Sequence, residues 1–412
     1  MKKFFIVLII ISLVSCKPEE KPVNNDWYAR ILEQIYYDVE DGASGRLADD
    51  FEIGSKTFDQ RMEQIYLYME AGAFNQQIRS TEYAAGGGAF ELPIAGATGY
   101  AAVDLKVYRT AGDLRSEIFS LQPGQGFTIL REENDWWNIE VGNIIGWVMH
   151  RYCLINLPDI IPSIVYDNTN TYNSLFRSSG FSVPSVTGTA LYEGRDFNAR
   201  LGRYEYISAV LYRMAPKIFA AQQAALAHGH TLIIYEAFRP AEAHDRLHEE
   251  LSFLVETNPI VMEGVTANMF SLIWFLAPSP YNHQRGTAID VTLGRIYSWE
   301  TRVTGDYTYV HVNEYSEFIM QSPLHELSAV SAIFSPTVSA RSPTVWRDAF
   351  ISDKATDGTI LLIKYCTDAG LTPLASEWWH FNDLESTDVA TEIRSIGRYN
   401  IMNTYSRPPR RF

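Results

Sequence analysis

The sequence predicts an α+β protein built in series: a short helical lead-in, a small all-β module, then a larger domain in which helices and strands mix. Three observations carry this expectation. The chain has 412 residues, about two to three domains' worth at roughly 100–200 residues each, so a single compact core is not expected. Its hydrophobic periodicity changes twice, from helical spacing before residue 84, to short alternating runs between about 101 and 157, to mixed patterns from 158 onward. Its composition, 46% hydrophobic and 20% charged with 18 Pro and 26 Gly, is that of a folded chain rather than a disordered one. The formal net charge of −15 leaves no basic field for a phosphate backbone, which excludes nucleic acid as the expected partner.

The elements follow in order. Lys2 and Lys3, the apolar run Phe4 to Val14 and then Ser15-Cys16 read as a secretory signal over residues 1–15. It is too short for the ~20 residues a bilayer span needs, and the most apolar later run, Met269 to Ala277, is shorter still. Leu13-Val14-Ser15-Cys16 resembles a bacterial lipobox, which implies acylation of Cys16 and a lipid-anchored, extracytoplasmic body. Beyond Cys16 only Cys153 and Cys366 remain; a disulfide between them and two buried thiols are both open readings, and cysteines this scattered do not form a thiolate zinc site. Residues 16–25 are polar and Pro-containing, as a tether would be. Residues 26–83 read as a helical segment: Trp27, Ile31, Leu32, Ile35 and Tyr36 recur at helical spacing, as do Met62, Ile65, Tyr66 and Met69 within Phe58 to Phe74. The run Ala84-Ala85-Gly86-Gly87-Gly88-Ala89 opens a linker placed at 84–100.

Between 101 and 157, β-type runs at Leu105 and Val107, Phe127 to Leu130, Trp137 to Val141 and Ile144 to Val148 are separated by Pro123-Gly124, Glu133-Asn134-Asp135 and Gly142-Asn143. With Leu105-Lys106-Val107-Tyr108-Arg109 at its start and Gly146-Trp147-Val148 near its end, this stretch resembles a bacterial SH3-type domain. The resemblance implies a small SH3-like barrel and a cell-wall peptide as its partner; a module that only packs against the next domain is the alternative.

From Pro158 the expected elements are an amphipathic helix over Ala209 to Ala227 that ends at Gly229, and a buried strand Thr231 to Tyr235 leading into Glu236-Ala237-Phe238-Arg239-Pro240, where Pro240 leaves Arg239 at the strand's mouth. Later come His283-Gln284-Arg285-Gly286-Thr287-Ala288-Ile289-Asp290 and Glu377-Trp378-Trp379-His380. Two His and one Asp suit a zinc site with a fourth position open for water, and Glu377 is a spare carboxylate for proton transfer. Taken singly, His283, Asp290 and His380 read as a loop histidine, a strand-end cap and a packed core histidine. The ordered set, His-x6-Asp then Glu-x-x-His after an earlier Arg-Pro, resembles the D-alanyl-D-alanine dipeptidase (VanX-type) family of zinc peptidases over about Leu157 to Asn382. That resemblance implies an α+β zinc peptidase domain, an antiparallel sheet with helices, over residues 158–412. It also implies one Zn2+ held by His283, Asp290 and His380, Glu377 as general base, and Arg239 as the cation that stabilises the oxyanion.

Two positions depart from the family. Tyr281 stands where Ser, two residues before the first zinc His, helps receive the dipeptide's ammonium. Met320-Gln321-Ser322-Pro323-Leu324-His325-Glu326-Leu327-Ser328 resembles the stretch that carries the ammonium-binding Asp, but His325 replaces that Asp, with Glu326 and Glu317 as alternative carboxylates. Tyr281 and His325 are thus the expected substrate-contacting positions. The implied partners are D-alanine-containing peptides or longer peptidoglycan stems; the rival activities are a peptidoglycan carboxypeptidase or endopeptidase on the same scaffold, and an inactive wall-binding lipoprotein.

Overall fold

A computed structural model describes residues 53–71, 90–279 and 281–410. The signal peptide, Cys16, the tether, the helix expected at Trp27 to Tyr37 and the glycine run 84–89 lie outside the described residues. Among the described residues no helix is long and apolar enough to cross a membrane.

Strand β1 (Ile53–Thr57) and helix α1 (Phe58–Ala71) begin the described chain. The lead-in does not stand apart as a separate helical unit: β1 pairs with β18 (Phe350–Ser352) near the other end of the chain. Phe58 meets Trp346 edge-on at 5.2 Å, and Arg61 donates to Ala355 O at 2.8 Å.

The β-module comprises β2 (Thr98–Ala101), β3 (Leu105–Tyr108), β4 (Glu117–Leu121), β5 (Gly126–Glu133), β6 (Trp136–Val141), β7 (Ile144–Met149) and β8 (Cys153–Asn156). Alternate residues Val107, Leu121, Phe127, Ile129, Trp137, Ile139 and Val148 are fully buried, the inward half of a period-two pattern. Two-residue turns join β5 to β6 at Asn134-Asp135 and β6 to β7 at Gly142-Asn143, with Asn134 and Gly142 at positive φ as such hairpins require. The expected linker ends early: residues from Phe90 are packed, and Glu91 accepts from Ser163 N while Leu92 N donates to Ile160 O. Cys153 and Cys366 are both buried free thiols.

Short strands β9 (Val165–Tyr166), β10 (Arg177–Ser178), β11 (Phe181–Ser182), β12 (Arg195–Asn198) and β13 (Arg203–Tyr206) lead to β14 (Ala209–Leu211). Here the structure corrects the sequence reading, because the helix expected from Ala209 starts only at Ala215 (α2, Ala215–Leu226). Val210 and Leu211 pair instead with Ile155 and Leu154 of β8, so the module's sheet runs β14-β8-β2-β5-β6-β7-β3-β4 and draws its edge from the larger domain. Pro216, in the first helical turn, marks the true start.

The remaining elements are β15 (His230–Glu236), α3 (Ala241–Thr257), α4 (Pro259–Thr266), α5 (Leu272–Phe275), β16 (Ala288–Thr304), β17 (Tyr307–Glu317), β18, α6 (Asp357–Asp368), β19 (Thr372–Leu374), β20 (Glu377–Asn382) and α7 (Leu384–Glu392). β16 and β17 pair with one another as a long antiparallel hairpin. The central sheet runs β19-β20-β16-β15-β9 with β17 on β16. It is antiparallel except where β9 lies parallel to β15, and α2 and α6 pack beside it. Mixed helices and mainly antiparallel strands make this an α+β domain.

Candidate active site

Three neighbouring strands place the site. Glu236 at the end of β15 sits opposite Asp290 on β16, and Asp290 sits opposite His380 on β20, so one cross-strand row carries three of the polar side chains. Glu377 and His380, three apart on a regular strand, would face opposite sides. The register between β19 and β20 slips between Pro373 and Leu374, which brings Glu377 Oε2 to 3.7 Å from His380 Nδ1. His283 enters from a 3-10 turn (His283–Arg285) closed by Gly286 at φ +68. A Cβ on Gly286 would stand 2.7 Å from Leu154 Cδ2 and 2.9 Å from Leu211 N, so the motif's glycine is required by the approach of β14.

The ring nitrogens are assigned by their partners. His283 Nδ1 donates to Ala237 O at 2.9 Å, and His380 Nε2 donates to Asn382 Oδ1 at 3.0 Å. That leaves His283 Nε2 and His380 Nδ1 facing one another across 3.1 Å, with Asp290 Oδ1 at 3.2 Å and 3.0 Å from them. One shared proton or one cation satisfies three acceptors so arranged, and outer nitrogens held by carbonyls are the usual support of metal-binding imidazoles. The donor set therefore fits a divalent metal, which His283, Asp290 and His380 could hold. Burial alone would raise the Asp290 carboxyl, but the imidazoles of His283, His325 and His380 hold it well below the usual carboxylate range. Burial pushes His380 down.

Glu377 is buried beside this set, and burial together with the Asp290 charge pushes its carboxyl well above its ordinary value against the pull of Arg239. Arg239 is held from three sides: Nε donates to Glu236 Oε2 at 2.6 Å, Nη1 lies 3.2 Å from His244 Nδ1, and Nη2 lies 3.5 Å from Asp290 Oδ2. Its guanidinium also covers the Phe176 ring at 5.0 Å. His244 donates through Nε2 to Ala277 O at 2.6 Å, and burial plus the Arg239 charge push it down to about 3, so it stays neutral and accepts from Arg239. Glu236, Asp290 and His325 form a second acidic-imidazole group, but Arg239 already lies between the two carboxylates there and supplies the positive charge.

The structure brings Arg239, His283, Asp290, Glu377 and His380 to one cleft of about 1010 Å3, the upper end of the roughly 300–1,000 Å3 usual for ligand pockets. Tyr281, 42% exposed, lines it beside His283. Trp274 and Arg341 stand on its wall, as do Lys217, Glu385 and Asp388. His325 departs from expectation. It is fully buried, does not line the cleft, stacks on Phe176 at 4.2 Å and directs Nε2 to Asp290 Oδ2 at 3.2 Å. It therefore does not face substrate: a turn at φ +61 carries the ring beneath Phe176, where Asp290 offers it an acceptor. The alternative carboxylates are committed elsewhere, Glu326 to Gly180 N and Ser328 Oγ, and Glu317 to Tyr235 OH.

The supporting residues Glu236, His244 and Asn382 escaped the sequence reading. Asn382 carried a usable signal, since His-x-Asn on a strand puts both side chains on one face. Glu236, closing an apolar strand three residues before Arg239, carried another.

The cleft and the donor set make a candidate metal site in an α+β domain. Residues 206–396 match the family model described as D-ala-D-ala dipeptidase, which points to a peptidase. Among curated proteins no relative matches the chain.

Proposed function

We propose that this chain is a zinc peptidase, lipid-anchored at Cys16 outside the cytoplasm, that cleaves D-alanine-terminated cell-wall peptides and favours stem peptides over the free D-Ala-D-Ala dipeptide. The observation that carries the reading is the convergence of His283, Asp290 and His380 beside Glu377 and Arg239. When bound, zinc would polarise the scissile carbonyl and acidify an attacking water. The chain's own residues do the rest. Glu377, buried beside His380 with no hydrogen-bond donor tying it down among the described residues, takes the proton from water and passes it to the departing amine nitrogen. Arg239, fixed by Glu236 and His244, offers N–H donors where negative charge develops on the carbonyl oxygen. The preference for longer peptides rests on what position 325 lacks. A buried imidazole bonded to Asp290 offers no carboxylate to a substrate ammonium, Glu326 and Glu317 are engaged elsewhere, and the cleft holds more than a dipeptide.

The test is mass spectrometry of products after the zinc-loaded protein meets free D-Ala-D-Ala and a muramyl pentapeptide together, with Glu377→Ala as control. D-Alanine released chiefly from the muramyl peptide supports the reading. Cleavage of the dipeptide alone, or of neither substrate, overturns it.

A further inference from the structure

His325 is the one histidine of the cluster for which the metal reading has no use, yet its ring is placed with care. It is fully buried, stacked nearly parallel on Phe176 with 13° between the planes, and held on a left-handed backbone that histidine tolerates better than most residues. Its Nε2 lies 3.2 Å from Asp290 Oδ2, while Nδ1 is buried without a hydrogen-bond partner among the described residues. A carboxylate oxygen can only accept, so the ring nitrogen facing it, Nε2, carries a proton that points at Asp290. The two Asp290 oxygens then divide. Oδ2 takes His325 and, at 3.5 Å, Arg239, whereas Oδ1 alone faces His283 and His380.

We infer that His325 is a positioning residue for the metal site: its Nε2–H pins Asp290 Oδ2, which fixes the carboxylate's rotation and presents Oδ1 as a single-oxygen ligand toward His283 and His380. This rests on the reading of His283, Asp290 and His380 as the metal set. It gives the side chain at 325 a role opposite in kind to a substrate carboxylate. An Asp there would add a charge beside Asp290 and Glu236 that only a cationic group could relieve, whereas the imidazole adds a donor and no negative charge. Partners that orient a ligand in this way are usually worth 10–100-fold in metal affinity.

The experiment compares zinc affinity, by competition with a chromophoric chelator, for the wild type, His325→Gln and His325→Met. Glutamine carries an N–H about as far from the backbone as Nε2, while methionine has similar length and no donor. Both meet the same positive φ, so the backbone cost cancels between them, and thermal unfolding of the metal-free proteins checks that both fold. The expected result is a 10–100-fold loss for His325→Met with His325→Gln within about threefold of wild type. Wild-type affinity in His325→Met, or an equal loss in both variants, overturns the inference while leaving the metal set intact. A wild type that binds no zinc overturns both.

Discussion

Arg239 holds together two properties that a double substitution separates. Its guanidinium is the only cation touching Glu236 among the described residues, and Glu236 is fully buried. In Arg239→Met the carboxylate keeps two neutral donors, Asn170 Nδ2 at 2.9 Å and Tyr192 OH at 2.7 Å, but loses its charge partner. Stranding one member of a buried pair costs about 3–5 kcal/mol of stability. Adding Glu236→Gln removes the stranded charge while Oε1 still accepts from Asn170 and Tyr192, so most of that loss returns and the double variant lies within about 1–2 kcal/mol of wild type. Turnover follows another course. The donor aimed at the oxyanion is absent in both variants, so each loses about 10²–10³ in kcat. Urea unfolding of the metal-free proteins, paired with rates of D-alanine release, reads both quantities. An Arg239→Met protein as stable as wild type, or a double variant that regains turnover with stability, refutes the reasoning.

Other predictions follow from the same geometry. Glu377→Gln keeps its metal by elemental analysis and loses about 10²–10⁴ in turnover, because the amide occupies the same space without accepting a proton; full activity with metal bound contradicts the assignment. His283→Ala loses both metal and turnover. His325→Asp lowers the stability of the metal-free protein, because three carboxylates then crowd Arg239; wild-type stability in urea counts against the placement of position 325 beside Asp290. Away from the site, burial pushes Glu91 up to about 7. The folded state then binds a proton that the unfolded chain releases near pH 4.5, so this group's stabilisation is complete below pH 4.5 and fades as pH rises to about 7. Buried His230 and His244, pushed down, give the opposite slope, so the comparison is between wild type and Glu91→Gln. Their difference in unfolding free energy should change by about 3 kcal/mol across that range, and a constant difference refutes it.

What the sequence disclosed about this molecule divides by the range of the interactions involved. Alternation and turn chemistry are local, so the β5, β6 and β7 runs and their turns at Asn134 and Gly142 were readable directly. The His-x6-Asp and Glu-x-x-His spacings were readable because each is fixed within one segment. Ala209 to Leu211 was misread as helix because its partner in β8 lies far off in the chain, and helical propensity gave way to strand pairing. The same holds for β1, whose partner β18 comes near the chain's other end. The position of His325 in a motif says nothing of which way its ring points. Only the turn at φ +61 and the stacking on Phe176 show that it serves Asp290 from beneath.

The proposed function makes one zinc ion between His283, Asp290 and His380 the condition for peptidase activity. The most direct measurement is a reconstitution titration: strip the protein with chelator, add back zinc in fractional equivalents, and follow D-alanine release from a muramyl pentapeptide. The expected result is no activity in the stripped protein and a linear rise that reaches its plateau at one zinc per chain. Activity that survives complete removal of metal, or a protein that binds zinc at one equivalent and releases no D-alanine, would contradict it.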